Sequence, residues 1–151
     1  MVIVLDQVSK YMIRSNLEIG EILKITKNFF WVTYVQNTGA AFSLSLGSDT
    51  VNRIFFIAFT IIATIIIFYI FLKAKNIIEK ISFALILGGA IGNLIDRIII
   101  GSVTDFLWCD FPDFLMHRWP VFNIADSSIV IALTLMIIYF IFFEKKHLEE
   151  K

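Results

Sequence analysis

Residues 54–72 (IFFIAFTIIATIIIFYIFL) carry no charge, no glycine and no proline, and this run restricts the fold more than any other feature of the chain. Fourteen of its 19 residues are Ile, Leu or Phe. At about −0.3 to −0.6 kcal/mol each at mid-membrane, they favour insertion by roughly 4 to 8 kcal/mol. As a helix rising 1.5 Å per residue, the run nearly crosses a hydrocarbon core of about 30 Å. Ser48, Asp49 and Thr50 precede it as candidate N-caps. The competing reading is a buried helix of a soluble domain, and composition weighs against it. Of the 151 residues, 58% are hydrophobic and only 17% charged, where a soluble domain carries about 25% charged. Mean hydropathy is +0.83. A single integral membrane domain over 1–151 is expected.

The other apolar runs must be weighed against their charges. Residues 81–100 hold eleven Ile, Leu and Phe, worth roughly −3 to −7 kcal/mol, but Asp96 and Arg97 would cost about 5 to 7 kcal/mol if central. These two charges must therefore sit near the helix end or face protein. Gly88, Gly89 and Gly92 allow close approach of another helix, Gly88 and Gly92 at small-xxx-small spacing. A further span over about 122–143 ends at Lys145-Lys146. Near the start, Asp6, Lys10 and Arg14 recur every fourth residue and form one polar stripe, which must face the bundle. Only five residues precede Asp6, so this first helix is either stubby or begins upstream of Met1.

Lys73, Lys75 and Lys80 separate the second and third spans, and Lys145, Lys146 and Lys151 follow the fourth. By the positive-inside rule both ends are expected in the cytoplasm, with segments 21–47 and 101–121 outside. Trp108, Phe111, Phe114, Trp119 and Phe122 crowd the second segment, as an interfacial aromatic belt does. Segment 21–47 does not read as helix. Residues 29–35 are aromatic and β-branched, Phe42, Leu44 and Leu46 alternate with serines, and Gln36-Asn37-Thr38-Gly39 marks a turn. The expected fold is membrane α-helical. It has four transmembrane helices over about 1–16, 51–73, 79–100 and 122–143, with a small extracytoplasmic β-sheet in 21–47 between helices 1 and 2. An outer loop over 101–121 and a cytoplasmic tail over 144–151 complete it.

Several function classes drop out. Thirteen basic and thirteen acidic residues leave no net charge, and no basic patch interleaved with aromatics occurs, so no nucleic-acid partner is expected. A lone Cys109 allows neither an internal disulfide nor a four-cysteine zinc site, and it has no histidine partner at a known spacing. His117 and His147 are isolated, and neither metal nor other cofactor is expected. Residues 1–5 lack the basic start and small-residue cleavage site of a removable leader.

What remains is a group of polar residues at the outer ends of the third and fourth spans. An ionisable residue at membrane depth is costly and marks a functional site by default. Asp105 follows the third span and Asp126 opens the fourth. The third helix runs outward and the fourth returns, so these ends can be neighbours. Asn93 and Arg97, four apart, share a helix face, as do Asn123 and Asp126 if Phe122 begins the fourth helix. Two carboxylates that cannot both ionise share a proton, which equips them for acid–base hydrolysis. The plainer alternative stays open here: Asp126 caps its helix and Asp105 is a solvated loop acid. Asp110 and Asp113, in the Pro-bounded outer loop, read as solvated. Asp96, beside Arg97, reads as structural.

Five stretches together resemble one family. They are Asp6-Gln7-Val8-Ser9-Lys10, Gln36-Asn37-Thr38-Gly39-Ala40-Ala41-Phe42, Gly88-Gly89-Ala90-Ile91-Gly92-Asn93-Leu94-Ile95-Asp96-Arg97, Val103-Thr104-Asp105-Phe106 and Phe122-Asn123-Ile124-Ala125-Asp126-Ser127. In order and on a four-span layout, they look like the motifs of the lipoprotein signal peptidase (signal peptidase II) family. The short start is the one departure. The resemblance implies a bacterial aspartyl endopeptidase of the cytoplasmic (inner) membrane, acting as a monomer near the outer face. It implies a substrate too, a prolipoprotein cut just before a cysteine that already carries diacylglycerol. Asp105 and Asp126 match the family's catalytic dyad, and Asn37, Gly39, Asn93, Arg97, Asn123 and Ala125 match positions around the site and substrate. Asp6 and Lys10 match the first motif, either as an ion pair or as a substrate contact.

Other classes fit less well. An intramembrane protease of the presenilin type needs a Gly-x-Gly-Asp motif, and the chain has none. A small proton-coupled transporter using Asp96 and Arg97 would place charges midway along the spans and repeat its helices. A purely structural membrane subunit leaves the aspartates and asparagines unexplained.

Overall fold

Polar caps, placed where the apolar runs begin, fix the starts of the three helices that follow the first. The computed structural model describes residues 1–27, 29–39, 48–109 and 120–144. Helix α1 spans Val2–Asn16, α2 Asp49–Lys73, α3 Ile77–Ile99 and α4 Ile124–Tyr139, the last running into a π-helical turn, Phe140–Glu144. The Ser48 side chain accepts from Val51 N at 3.5 Å to start α2, and Asn76 accepts from Ile78 N at 2.7 Å to start α3. Asn123 starts α4 by a reciprocal capping box with Asp126.

The bundle alternates direction. Arg53 near the start of α2 donates to the carbonyls of Arg97 (3.0 Å) and Ile98 (2.7 Å) at the end of α3. At the opposite end, Asn76 Nδ2 meets the Tyr139 hydroxyl at 3.1 Å. Helix α3 is central and packs against α1, α2 and α4. Close approach needs its glycines: a Cβ at Gly89 would collide with the Ala125 carbonyl, and one at Gly92 would lie 2.7 Å from Asp6 Oδ2.

Three helical segments, Asp49–Lys73, Ile77–Ile99 and Ile124–Phe142, are long and apolar enough to cross a membrane. Helix α1, with 15 residues, reaches roughly 22 Å at 1.5 Å per residue. The molecule is apolar outside and polar inside. Its largest fully buried side chains are Lys10, Asn52, Asn123, Thr104, Asp6, Asp96 and Ser82, while most of the Ile and Phe of α2 are exposed. Water would punish that surface and lipid favours it. The stripe of Asp6, Lys10 and Arg14 faces α3.

The sheet is where the expected fold needs correcting. Strands β1 (Ile22–Lys24) and β2 (Phe30–Asn37) do lie between α1 and α2, but a third strand, β3 (Val103–Cys109), comes from the segment read as a loop between α3 and α4. The order is β1-β2-β3, antiparallel throughout. Four consecutive residues of β3, Val103 to Phe106, are buried, so no in–out alternation advertised a strand. Its far edge is covered as well: Phe106 N and Leu107 N donate to the Phe122 carbonyl at 3.0 and 2.7 Å. Trp31 and Trp108, directly paired across β2 and β3, meet edge to face at 4.8 Å. Beyond them the register shifts between Val32 and Val35, a bulge that re-aims the following side chains. The alternating Phe42, Leu44 and Leu46, the loop aromatics Phe111, Phe114 and Trp119, and Asp110, Asp113, His117 and His147 lie outside the described residues.

Candidate active site

Each acid reaches the site by a different route. Helix α3 ends at Ile99 with Ile100 as its C-cap, and Gly101, at φ +94°, turns the chain into β3 while its N–H stays on the Asp96 carbonyl at 3.2 Å. That left-handed conformation suits glycine. In β3, Asp105 stands opposite Val35, and Asn37 pairs with Val103. Asn37 is thus a diagonal neighbour of Asp105 on the same sheet face. Asn37 Nδ2 donates to Asp105 Oδ2 at 3.0 Å. Asp126 arrives on the first turn of α4, held beside β3 by the Leu107–Phe122 bridge.

Asn123 joins the two. Its Nδ2 donates to Asp105 Oδ1 at 2.7 Å and its backbone N–H to Asp126 Oδ2 at 3.2 Å. Asn93 serves the other Asp126 oxygen, Nδ2 to Oδ1 at 2.8 Å, and accepts on its own Oδ1 from Asn123 Nδ2 (3.1 Å) and Lys10 Nζ (2.8 Å). Every polar partner named here for the two carboxylates is an amide. Among the described residues neither acid makes an ion pair.

Asp105 is 3% exposed, so the solvated-loop alternative for it does not hold. Asp126, half-buried, does cap α4, yet it shares Asn123 with Asp105 while doing so. Burial and then the charge of Asp126 push the Asp105 carboxyl up to about 7, against the hydrogen bonds of Asn37 and Asn123 and the charge of Lys10. A carboxyl so placed can keep a proton near neutrality.

The remaining residues are disposed around the pair. Arg97 Nη2 donates to the Gly39 carbonyl at 3.1 Å, and its guanidinium lies 5.3 Å from the Phe56 ring centroid. The Gly39 N–H closes onto Asn37 Oδ1 at 3.0 Å, so the turn after β2 orients the amide that serves Asp105. Ala125 is fully buried, its N–H on Asp6 Oδ1 at 3.0 Å. Lys10 and Asp6 form a fully buried ion pair of 2.9 Å. Asn123 corrects one detail of the expected geometry. It precedes the helix as N-cap, because α4 starts at Ile124 and not at Phe122. Sequence reasoning missed that Asp96 holds the Thr104 N–H at 2.9 Å, one residue before Asp105. The signal lay in its position: i,i+1 neighbours on a helix do not face each other, so Asp96 had to find partners other than Arg97. Burial raises the Cys109 thiol above its ordinary range, which makes it a poor nucleophile.

Comparison with known proteins identifies the family. Residues 1–142 match the profile of a family described as Signal peptidase (SPase) II. The chain is 43% identical over 147 residues to the lipoprotein signal peptidase of Borrelia garinii subsp. bavariensis, covering 93% of this chain and 85% of that one. It is 40% identical over 149 residues to the lipoprotein signal peptidase of Enterococcus faecalis, covering 97% and 87%. A solved structure, described as a bacterial membrane enzyme obtained by the in meso method at 2.3 Å, superposes with a TM-score of 0.82. It is 35% identical and covers 93% of this chain and 82% of the other. With a polar interior in a lipid-facing shell, the chain belongs to the signal peptidase II family of membrane aspartic peptidases.

Proposed function

We propose that the protein cleaves the signal peptide from diacylglyceryl-modified prolipoproteins immediately before the lipidated cysteine, using Asp105 and Asp126 as a catalytic dyad and water as nucleophile. The observation that carries the reading is that one residue, Asn123, donates to both carboxylates. One acid, ionised, takes a proton from water as it attacks the scissile carbonyl. The other, protonated, donates to the carbonyl oxygen as the tetrahedral intermediate forms. The proton belongs to the pair, whose titration is coupled. Asn37, Asn93 and Asn123 orient the carboxylates without adding charge, and Arg97 with Gly39 shapes the approach of the substrate.

In this reading α1 is the fourth span of an inner-membrane monomer, with both termini cytoplasmic. The basic residues Lys73, Lys75 and Lys80 support that orientation. They lie at the end of the α2–α3 hairpin opposite the dyad, which supports an outer-face site. There a lipid-anchored peptide and water arrive together. The test is to incubate detergent-solubilised protein with a diacylglyceryl-modified prolipoprotein, with and without EDTA. Metal-independent cleavage before the modified cysteine is expected, and absent cleavage or loss with EDTA would refute the proposal.

A further inference from the structure

Beside the dyad the molecule buries a second group of charges. Lys10 Nζ lies 2.9 Å from Asp6 Oδ2 and 3.3 Å from Asp96 Oδ2, and none of the three side chains is exposed. Ion pairing would by itself dock α1 on α3. It does not account for where the same carboxylates find their backbone partners. Asp6 Oδ1 accepts the Ala125 N–H at 3.0 Å, and Asp96 Oδ2 accepts the Thr104 N–H at 2.9 Å. Ala125 and Thr104 are the residues immediately before Asp126 and Asp105. Charge-assisted bonds of this kind are roughly twice as strong as neutral ones. Each therefore fixes the backbone from which one acid of the dyad springs.

The lysine completes the arrangement. An ammonium can only donate, so Lys10 holds Asn93 with its Oδ1 inward and its Nδ2 toward Asp126. Arg14, at the edge of the group and 23% exposed, reaches Thr104 Oγ1 at 3.0 Å and Asp96 Oδ1 at 3.5 Å.

We propose that Asp6, Lys10 and Asp96 form a brace that sets the separation of Asp105 and Asp126 by holding the backbone amide immediately before each. They are positioning residues for peptide cleavage, not substrate contacts. This inference rests on the dyad assignment made above.

The test uses full-length variants in detergent with a diacylglyceryl-modified prolipoprotein. kcat and KM are measured separately, per molecule shown to be folded by elution and thermal unfolding. A displacement near 1 Å can cost about 10²-fold in rate, so Asp96→Ala and Asp6→Ala are expected to lower kcat about ten- to a hundredfold with KM little changed. Asp96→Asn keeps an oxygen for the Thr104 N–H and is expected to recover most of that loss. A structural role alone would reduce the folded fraction and leave kcat per folded molecule intact. Arg14 steadies the Asp96–Thr104 arm of the brace from outside, so should the alanine variants not fold, Arg14→Leu loosens that arm alone, with a severalfold fall in kcat expected at unchanged KM. Wild-type kcat in Asp96→Ala, or in Arg14→Leu where the former does not fold, overturns the brace. So does a rise in KM alone. Asp105→Asn and Asp126→Asn are assayed alongside: turnover by either defeats the dyad itself. Their inactivity beside fully active brace variants defeats the brace alone.

Discussion

Two pairs of aspartates lie close together in this protein and differ in what touches them. Asp6 and Asp96 have an ammonium between them, Lys10 bonding to both. Asp105 and Asp126 have amides instead, from Asn37, Asn93 and Asn123. An acid held by a cation serves as a strut. An acid held by neutral donors, in a low-dielectric setting beside another acid, keeps its proton within reach of neutral pH. Partner type, more than depth of burial, separates the bracing pair from the pair proposed for chemistry.

The contrast predicts opposite answers to the same kind of substitution, and the largest effect lies at the dyad. In the proposed mechanism Asp105→Asn or Asp126→Asn removes an acid–base group, worth about 10²- to 10⁴-fold in rate. Loss of detectable processing in a gel-shift assay is expected, with insertion and folding retained. Near-wild-type turnover by either would remove the distinction between the pairs. At the strut the loss of the cation adds an effect on stability to the effect on kcat. Lys10→Met leaves two buried carboxylates facing each other without their cation, and breaking such a group costs about 3–5 kcal/mol. A large drop in melting temperature is expected, and a melting temperature like that of the wild type would show that the cation is dispensable.

Smaller effects sharpen the comparison. Asn123→Ala removes the α4 cap, worth about 1 kcal/mol, together with the donor that reaches Asp105 Oδ1. Its rate is expected to fall about tenfold or more while the melting temperature moves little. The pH dependence follows from the protonated acid. With the Asp105 carboxyl pushed up to about 7, the singly protonated pair is lost as pH rises past that value. Turnover is expected to fall above neutrality, by about tenfold per pH unit once fully titrated. A rate flat up to pH 9 would show that no protonated carboxyl is required.

How much of this was legible in the sequence varied with how local the cause was. The apolar run of α2 and the recurrence of Asp6, Lys10 and Arg14 needed only composition and helical spacing. The meeting of Asp105 and Asp126 followed from direction reversal between α3 and α4, since both acids stand at the same end. Strand β3 was not legible, because burial on both faces removes the alternation that marks a strand and Asp105 sits in its middle. Nor was the N-cap role of Asn123. Phe122 looked like a helical residue, yet it is held in extended pairing with Leu107. The contacts of Asp96 were hidden for a related reason: its partners come from α1 and from β3, both distant in sequence.

The smallest effect is also the one that most directly opposes the two pairs. A carboxyl whose folded pKa lies above its unfolded value, as at Asp105, favours the folded state fully only below the unfolded value of about 3.9. As pH rises from there toward 7, the unfolded chain ionises while the folded protein keeps its proton, and that contribution is lost. Asp105→Asn has no such proton to lose. The variant is therefore expected to gain stability relative to the wild type between about pH 4 and pH 7 and to hold the gain above it. The gain should be modest, of the order of 1 kcal/mol, because the new side chain has one oxygen where two were in use. Asn37 Nδ2 and Asn123 Nδ2 each occupy a different oxygen of Asp105, so one donor would face an NH₂ group. Paired melts of wild type and variant at pH 5 and pH 8 measure the difference. A variant less stable than the wild type at pH 8 would mean that Asp105 serves as a strut and not as a proton-holding acid.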